Sequence, residues 1–409
     1  TLARFIPEKF TLKEKSQLLS QSLISVFIAG IVFFVVINLI YKFLPHLLPK
    51  EVKDIIFIFS CFTILVSFFN IFEGFWRGLG KFNEFVIIDG LRSNIGNLLG
   101  LGLLIYGFIS YTTIIKVNFF LSIFFVFILF FFVRNYLILR FSVPDKQVIT
   151  LCATLFIGQI TNMLSNNIDI LLLRGILKDP QQVGYYFAGV RIPKIIETMF
   201  IAQLPAPFLY YFSSPNTKLL KEKILVNSSK MLGFIFGIVG LLCFSFASEI
   251  LLFLFGDRYI ESINAFKFFS LSLPMLAFVI LSSPFYISEN KPVVVLIVNS
   301  FIMILFYNFT NFLLLPKLKF FALIVSYLMF LNIFVMLICV ISYLKFKVRL
   351  IDKFFILFCF IFISCLIEIF LRVKVSFLIF LCLCLFTKFV TTKEFMKFVD
   401  ILQRKYENT

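Results

Sequence analysis

The chain has 409 residues, 61% of them hydrophobic and 14% charged, with 62 Phe and a formal net charge of +17. Ordinary soluble proteins carry about 25% charged residues, and an aqueous globule of this length leaves too much surface wet to hide so much apolar side chain. A soluble enzyme or binding domain is therefore excluded, and a chain embedded in a bilayer is implied.

A membrane span needs about 20 mostly apolar residues to cross roughly 30 Å of hydrocarbon. Twelve runs meet that requirement in chain order: 20–44, 54–76, 85–108, 112–133, 147–173, 182–212, 230–255, 263–287, 292–316, 320–344, 352–371 and 374–391. The sequence thus predicts an all-α polytopic membrane protein. The run 182–212 holds Pro193, Pro205 and Pro207. Proline removes a backbone donor and clashes with the preceding turn, so a kinked or broken helix is expected there.

Of the 38 Lys and Arg, 23 fall on the side that holds both chain ends and the even-numbered turns, 10 on the other side and five inside runs. By the positive-inside rule the richer side is cytoplasmic, and so are both ends. The excess positive charge is explained by anionic headgroups, and no patch of basic and exposed aromatic residues suggests nucleic acid. The eight cysteines all lie in apolar runs without a Cys-x-x-Cys pair, and His46 is the single histidine. They read as small buried hydrophobes, and no metal or cofactor is expected.

The chain echoes itself at an offset of 210 residues: Glu51 with Glu261, Phe75 with Phe285, Lys81 with Lys291 and Asp89 with Asn299. Duplicated bundles are the usual build of secondary transporters. The duplication leaves the partners of the two runs at 147–210 before residue 1, and the chain opens on Thr1 rather than Met. Two preceding spans, 14 in all, are expected. The expected organisation is residues 1–146 as the rest of an N-terminal lobe with four spans, 147–344 as a C-terminal lobe with six, and 345–409 as two accessory spans and a cytoplasmic tail.

Charges inside a bilayer are costly and are default functional candidates. Asp89, Arg92, Ser93, Gly96, Asn97 and Gly100 share one face of the third run. Asp89 and Arg92 there suit either a lumen or a neutralised pair at a helix seam. Gln159, Asn162, Asn166 and Asp169 form a second polar stripe, which lipid would not tolerate. Arg191, Lys194 and Glu197 follow at steps of three around Pro193. Arg92, Arg191 and Lys194 are the candidate cations for an anionic substrate such as a diphosphate, with Glu197 the alternative partner of Lys194. Asp89, Asp169, Glu197, Asn162 and Asn166 are candidates for ion coupling or for a polar lumen. Lys116 and Lys267 lie near span ends and are expected to snorkel. Glu368 is expected between the two accessory helices.

Four stretches carry a family likeness: Ala3-Arg4-Phe5; Phe75-Trp76-Arg77-Gly78-Leu79-Gly80-Lys81-Phe82; Asn167-Ile168-Asp169-Ile170 followed by Gln182-Val183-Gly184-Tyr185-Tyr186-Phe187-Ala188-Gly189; and Leu254-Phe255-Gly256-Asp257-Arg258-Tyr259 with Glu261 and Ser262. In this order among twelve runs the chain resembles the Wzx-type polysaccharide flippases of the MATE-like MOP superfamily. That resemblance implies a two-lobe helical bundle in a bacterial plasma (inner) membrane. It implies movement of undecaprenyl-diphosphate-linked oligosaccharide from the inner to the outer leaflet, with H+ or Na+ as coupling ion and polysaccharide polymerase machinery as a neighbour. A MATE-type drug or metabolite exporter and a lipid II flippase are the rival transporters. A membrane enzyme is disfavoured by short outer loops and by the lack of a P-loop or His-Glu-x-x-His motif.

Overall fold

The computed structural model describes residues 2–8, 11–43, 56–81, 111–137, 148–154, 172–177, 179–214, 220–289 and 307–391, together with residues 88, 95, 99, 146, 169, 291, 394, 396 and 398. Among them there are helices and turns and no strand. Among the described residues, six segments are long and apolar enough to cross a membrane: Leu12–Leu39, Lys116–Tyr136, Lys221–Ser245, Asp257–Ser288, Phe321–Phe346 and Ile351–Leu371. The protein is a multi-pass membrane protein. Phe370 and Phe386 are 87% and 91% exposed, an arrangement that hydrocarbon favours and water does not. The chain divides into two compact units, residues 1–150 with 213–215, and residues 151–212 with 216–409.

The first unit contains α1 (Leu2–Phe5), α2 (Leu12–Phe43), α3 (Ile56–Gly78) and α4 (Tyr111–Val133). Thr11 and Glu14 start α2 with a reciprocal capping box, in which the Thr11 amide and hydroxyl donate to Glu14 at 3.2 and 2.9 Å and the Glu14 amide returns to Thr11 at 3.3 Å. Helix α3 packs on α1, α2 and α4. Its end explains the Trp-Arg-Gly-Leu-Gly-Lys wording. Gly80 takes φ 77°, its amide donates to Arg77 O (3.1 Å), and the Lys81 amide donates to Trp76 O (3.1 Å). This is a Schellman stop, for which a glycine at the left-handed position is the unstrained choice. Gly78 lies against Ile6, where a Cβ would stand 2.7 Å from the Ile6 side chain.

The second unit contains α5 (Pro180–Ile196), α6 (Pro205–Ser213), α7 (Lys221–Ser245), α8 (Ala247–Phe255), α9 (Ile263–Ser270), α10 (Ser272–Val279), α11 (Ser282–Ser288), α12 (Asn308–Leu318), α13 (Phe321–Phe346), α14 (Ile351–Leu371) and α15 (Ser376–Phe386). Asp179 caps α5 through the Gln181 amide (2.9 Å), with Pro180 in the first turn. The expected break in the run 182–212 is present: α5 runs through Pro193 into a π-helical turn, Glu197–Ile201, and α6 restarts at Pro205.

The run expected at 230–255 differs. Helix α7 begins nine residues earlier, at Lys221, and breaks at Phe246 before α8. Lys221, in the turn expected before that run, and Lys230, the first residue of the run, are both helical and buried. Each is neutralised, Lys221 by Glu289 (2.9 Å) and Lys230 by Glu394 (2.8 Å). Charge alone marks a loop only when the charge has no partner.

The 210-residue repeat recurs as geometry. The Lys291 amide donates to Tyr286 O (2.9 Å) and the Glu289 amide to Phe285 O (3.1 Å), matching the Lys81–Trp76 and Leu79–Phe75 bonds one repeat earlier. Phe75 and Phe285 are both fully buried at these equivalent helix ends.

Helix α7 is the centre of the second unit and packs on α9, α10, α14 and α15. Its glycines permit this approach. A Cβ would stand 2.6 Å from Leu357 at Gly233, 2.6 Å from the Phe380 ring at Gly237 and 2.8 Å from the Ser270 carbonyl oxygen at Gly240. Glu368 joins the same elements: it accepts from the Ser245 hydroxyl (2.5 Å) and the Ser376 amide (2.9 Å), and so caps α15. Its place between the accessory helices agrees with expectation, and α7 supplies the third partner.

Two predictions follow from this packing. At Gly240 the obstacle is backbone, so Gly240→Leu forces α7 from α9 and costs at least the about 1–3 kcal/mol typical of overpacking, read as a lowered unfolding temperature in detergent. The second concerns the tail. Burial raises the Glu394 carboxyl, but the Lys230 ammonium and the Thr391 amide and hydroxyl outweigh it and hold the group below its ordinary 4.5. A depressed folded value means the stabilisation is complete well above 4.5 and is lost as pH falls through the folded value. The melting difference between wild type and Glu394→Gln should be constant at neutral pH and shrink in acid.

Candidate functional site

The second unit gathers a buried polar cluster around Asp169. Asp169 lies on the run 147–173. Tyr186 from α5 donates its hydroxyl to Asp169 Oδ2 (2.5 Å), and Tyr307, at the residue preceding α12, donates to Oδ1 (2.6 Å). Both tyrosines are buried, at 6% and 2% exposure, and each oxygen of the half-buried Asp169 carboxylate accepts from one of them. Bonds of this charge-assisted kind are short and stronger than neutral ones. Tyr327 from α13 packs its ring edge-on to Tyr307 (6.3 Å) and stacks on Phe269 (4.9 Å), which fixes the position of the Tyr307 ring.

The polar lining extends along α12. Asn311 is fully buried, and neither of its amide atoms has a hydrogen-bond partner of normal geometry. The side-chain oxygen of Asn308, one turn away, and the Ser326 hydroxyl on α13 are also buried and unpaired. A protein does not usually leave such groups unmatched, and their presence near a carboxylate suggests a place where a small polar species is held. Among the described residues no three His, Cys, Asp or Glu side chains cluster as a metal site.

Lys194 binds both carboxylate oxygens of Glu197, at 2.9 and 3.0 Å. The pair sits where α5 passes into the π-helical turn, a local widening often found at functional sites. Lys194 is within electrostatic reach of Asp169, and Tyr327 of both Glu197 and Asp169. Lys194 in this state is therefore a neutralised cation. Arg191 is exposed and pairs with no described residue.

The structure thus brings Asp169, Lys194 and Glu197 into one neighbourhood, and Arg191, one turn before Lys194 on α5, is exposed. Asp89, Arg92, Asn162 and Asn166 lie outside the described residues. Lys267 lies over the Phe244 ring (5.7 Å). Sequence reasoning gave no role to Tyr186, Tyr307, Tyr327 or Asn311. Tyr186 was quoted only for its family wording, and the need of a buried Asp169 for donors was the available signal.

The fold is that of the MATE transporters. A multidrug-resistance MATE family transporter of the MOP superfamily in an outward-facing conformation aligns with a TM-score of 0.69 at 15% identity, over 86% of this chain and 82% of its own. A MOP superfamily transporter from Pyrococcus furiosus, described as having reversed polarity in its binding pocket, aligns at 0.67 and 15%, over 84% and 82%. The MATE transporter ClbM in complex with Rb+ aligns at 0.65 and 14%, over 82% and 79%. No curated protein matches by sequence. The profile of the polysaccharide biosynthesis protein family matches residues 8–264, and the chain belongs to that family.

The Asp169 cluster predicts a coupled response. Tyr186→Phe and Tyr307→Phe should each cost about 1.5–3 kcal/mol, the worth of a hydrogen bond to a charged group. In an Asp169→Asn background each loss should fall well below that, because the partner charge is gone. Thermal unfolding of the purified single and double variants reads the difference.

Proposed function

We propose that this protein flips undecaprenyl-diphosphate-linked oligosaccharide repeat units across a bacterial plasma membrane for cell-surface polysaccharide assembly. The observation that carries the reading is membership of the polysaccharide biosynthesis family on a MATE-type fold. Chemistry and transport divide naturally here: the fold offers a membrane-buried polar interior and short connections, which suit moving a finished glycan rather than making its bonds.

In this reading the chain has twelve spans, organised as lobe residues 1–146, lobe residues 147–344 and an accessory pair in 345–409, with both ends cytoplasmic by their charge. Arg92, Arg191 and Lys194 receive the diphosphate, whose oxygens favour guanidinium and ammonium donors. Glu197 holds Lys194 while the site is empty, and an arriving diphosphate competes for that cation. Asp169 with Tyr186 and Tyr307 takes the coupling H+ or Na+. Binding there replaces phenol hydrogen bonds and frees α5, whose broken geometry permits a shift. Asp89, Asn162 and Asn166 extend the polar lumen. The Rb+ complex of the structurally similar ClbM supports a cation in this fold, and the reversed pocket polarity of the Pyrococcus transporter supports the idea that the fold accepts substrates of different charge.

The second reading is a drug or metabolite exporter, favoured by the multidrug-resistance neighbour. Such a carrier has an acidic interior, and the five basic residues inside apolar runs oppose it. Deleting the full-length gene in the native host separates the two. Lipid-linked oligosaccharides are extracted, identified by mass spectrometry and assigned to a leaflet. Flipping predicts one complete, unpolymerised repeat unit accumulating on the cytoplasmic leaflet. A normal lipid pool with altered drug sensitivity would select the exporter.

A further inference from the structure

A cavity whose lining excludes Asp169, Tyr186 and Tyr307 opens at one end of the second unit. It encloses about 680 Å3, within the about 300–1,000 Å3 of small-ligand pockets. Gln182 and Tyr185 from the first turns of α5, Glu261 and Asn264 around the start of α9, and Lys319 and Phe320 from the turn between α12 and α13 line it. These three connections are the ones whose charge places them on the outer side of the membrane.

Its chemistry is unusual for a structural gap. Glu261 and Lys319 are exposed, of opposite charge and lining the same cavity, yet they form no ion pair, and neither has another described partner. Such charges do not face hydrocarbon, so the mouth opens to water or headgroups. The Gln182 side-chain oxygen is buried without a hydrogen-bond partner. Lys319 adopts φ 52°, a left-handed conformation that a non-glycine residue holds only under constraint from its surroundings. Tyr185 is fixed between Tyr259 (6.3 Å, perpendicular) and Phe320 (6.0 Å) and presents a rigid ring to the cavity.

We propose that this cavity is a saccharide-binding subsite. Aromatic faces receive the apolar C–H face of a pyranose, and the surrounding carboxylate, ammonium and two amides supply both donors and acceptors for its hydroxyls. A ligand hydroxyl completes Gln182 Oε1. An acyl chain would leave Glu261 and Lys319 unsatisfied, and a purely anionic ligand would be repelled by Glu261. The physiological sense of the site rests on the flipping proposal: it holds the glycan on the release side, at the end of the lobe rather than in its interior. The binding itself does not depend on transport.

The test uses the full chain in lipid nanodiscs, because glycoside detergents would fill the site. Saturation-transfer NMR is run with the methyl glycosides of glucose, galactose, N-acetylglucosamine and glucuronic acid, and with phosphoethanolamine as a headgroup probe. At least one glycoside should show transfer. Asn264→Ala, an exposed position that leaves the core untouched, and Tyr185→Ala should each weaken that binding about tenfold or more, the scale of one or two lost polar contacts. Absence of transfer to every glycoside, transfer indifferent to Asn264→Ala, or transfer to phosphoethanolamine alone overturns the subsite. Should glycosides bind while the gene deletion leaves the lipid pool normal, the transport reading falls and the subsite stands. The reverse pair of results removes only the subsite.

Discussion

The cost of an unpaired polar group in hydrocarbon governs this structure. Among the described residues of the second unit, the buried charges have partners from other elements. Asp169 is held by phenols from two other segments, Lys221 by Glu289, Glu368 by Ser245 and the Ser376 amide, and Lys230 by Glu394. Each pairing ties helices together that apolar contact alone would leave free to slide, since lipid and leucine are nearly equivalent solvents for a helix face. Under the proposed function such bonds are the control points of the carrier, because an ion or a diphosphate that competed for one of them would release the elements it joins.

Close packing makes those pairings possible. The glycines of α7 bring Leu357, Phe380 and the Ser270 carbonyl to distances that no Cβ would tolerate. Helices α14 and α15 therefore lie directly on α7, close enough for Glu368 to reach both Ser245 and Ser376. At Gly80 the glycine has a different use, which is to end α3 at a defined residue so that Lys81 lies over the Trp76 ring (5.8 Å). The 210-residue repeat preserves the helix-end hydrogen bonds at Phe285 and Tyr286 while changing the side chains around them, as expected if backbone geometry is what the two halves share.

Much of the fold was legible in the sequence because its signals are long-range averages. Apolar run length, proline position and the repeat at Phe75 and Phe285 led to helices, to the break after Pro193 and to matched helix ends. The start of α7 was misplaced because Lys221 looks like a loop cation until its partner, 68 residues away, is known. The site was only partly legible for the same reason. Asp169, Lys194 and Glu197 were found as charges within apolar runs, and the Lys194–Glu197 pair was foreseeable from its spacing. Tyr186 and Tyr307 could not be found locally, since a tyrosine in an aromatic-rich helix carries no mark of the carboxylate it serves 17 or 138 residues away.

The central claim is that this fold moves an anionic lipid-linked glycan. The most direct test is translocation by purified full-length protein in proteoliposomes loaded with a fluorescent undecaprenyl-diphosphate oligosaccharide, scored by a membrane-impermeant quencher. The account predicts protein-dependent exposure of the glycan on the opposite leaflet, driven by an H+ or Na+ gradient and abolished by Asp169→Asn. Extrusion of a lipophilic cation with no movement of the lipid-linked glycan would contradict it.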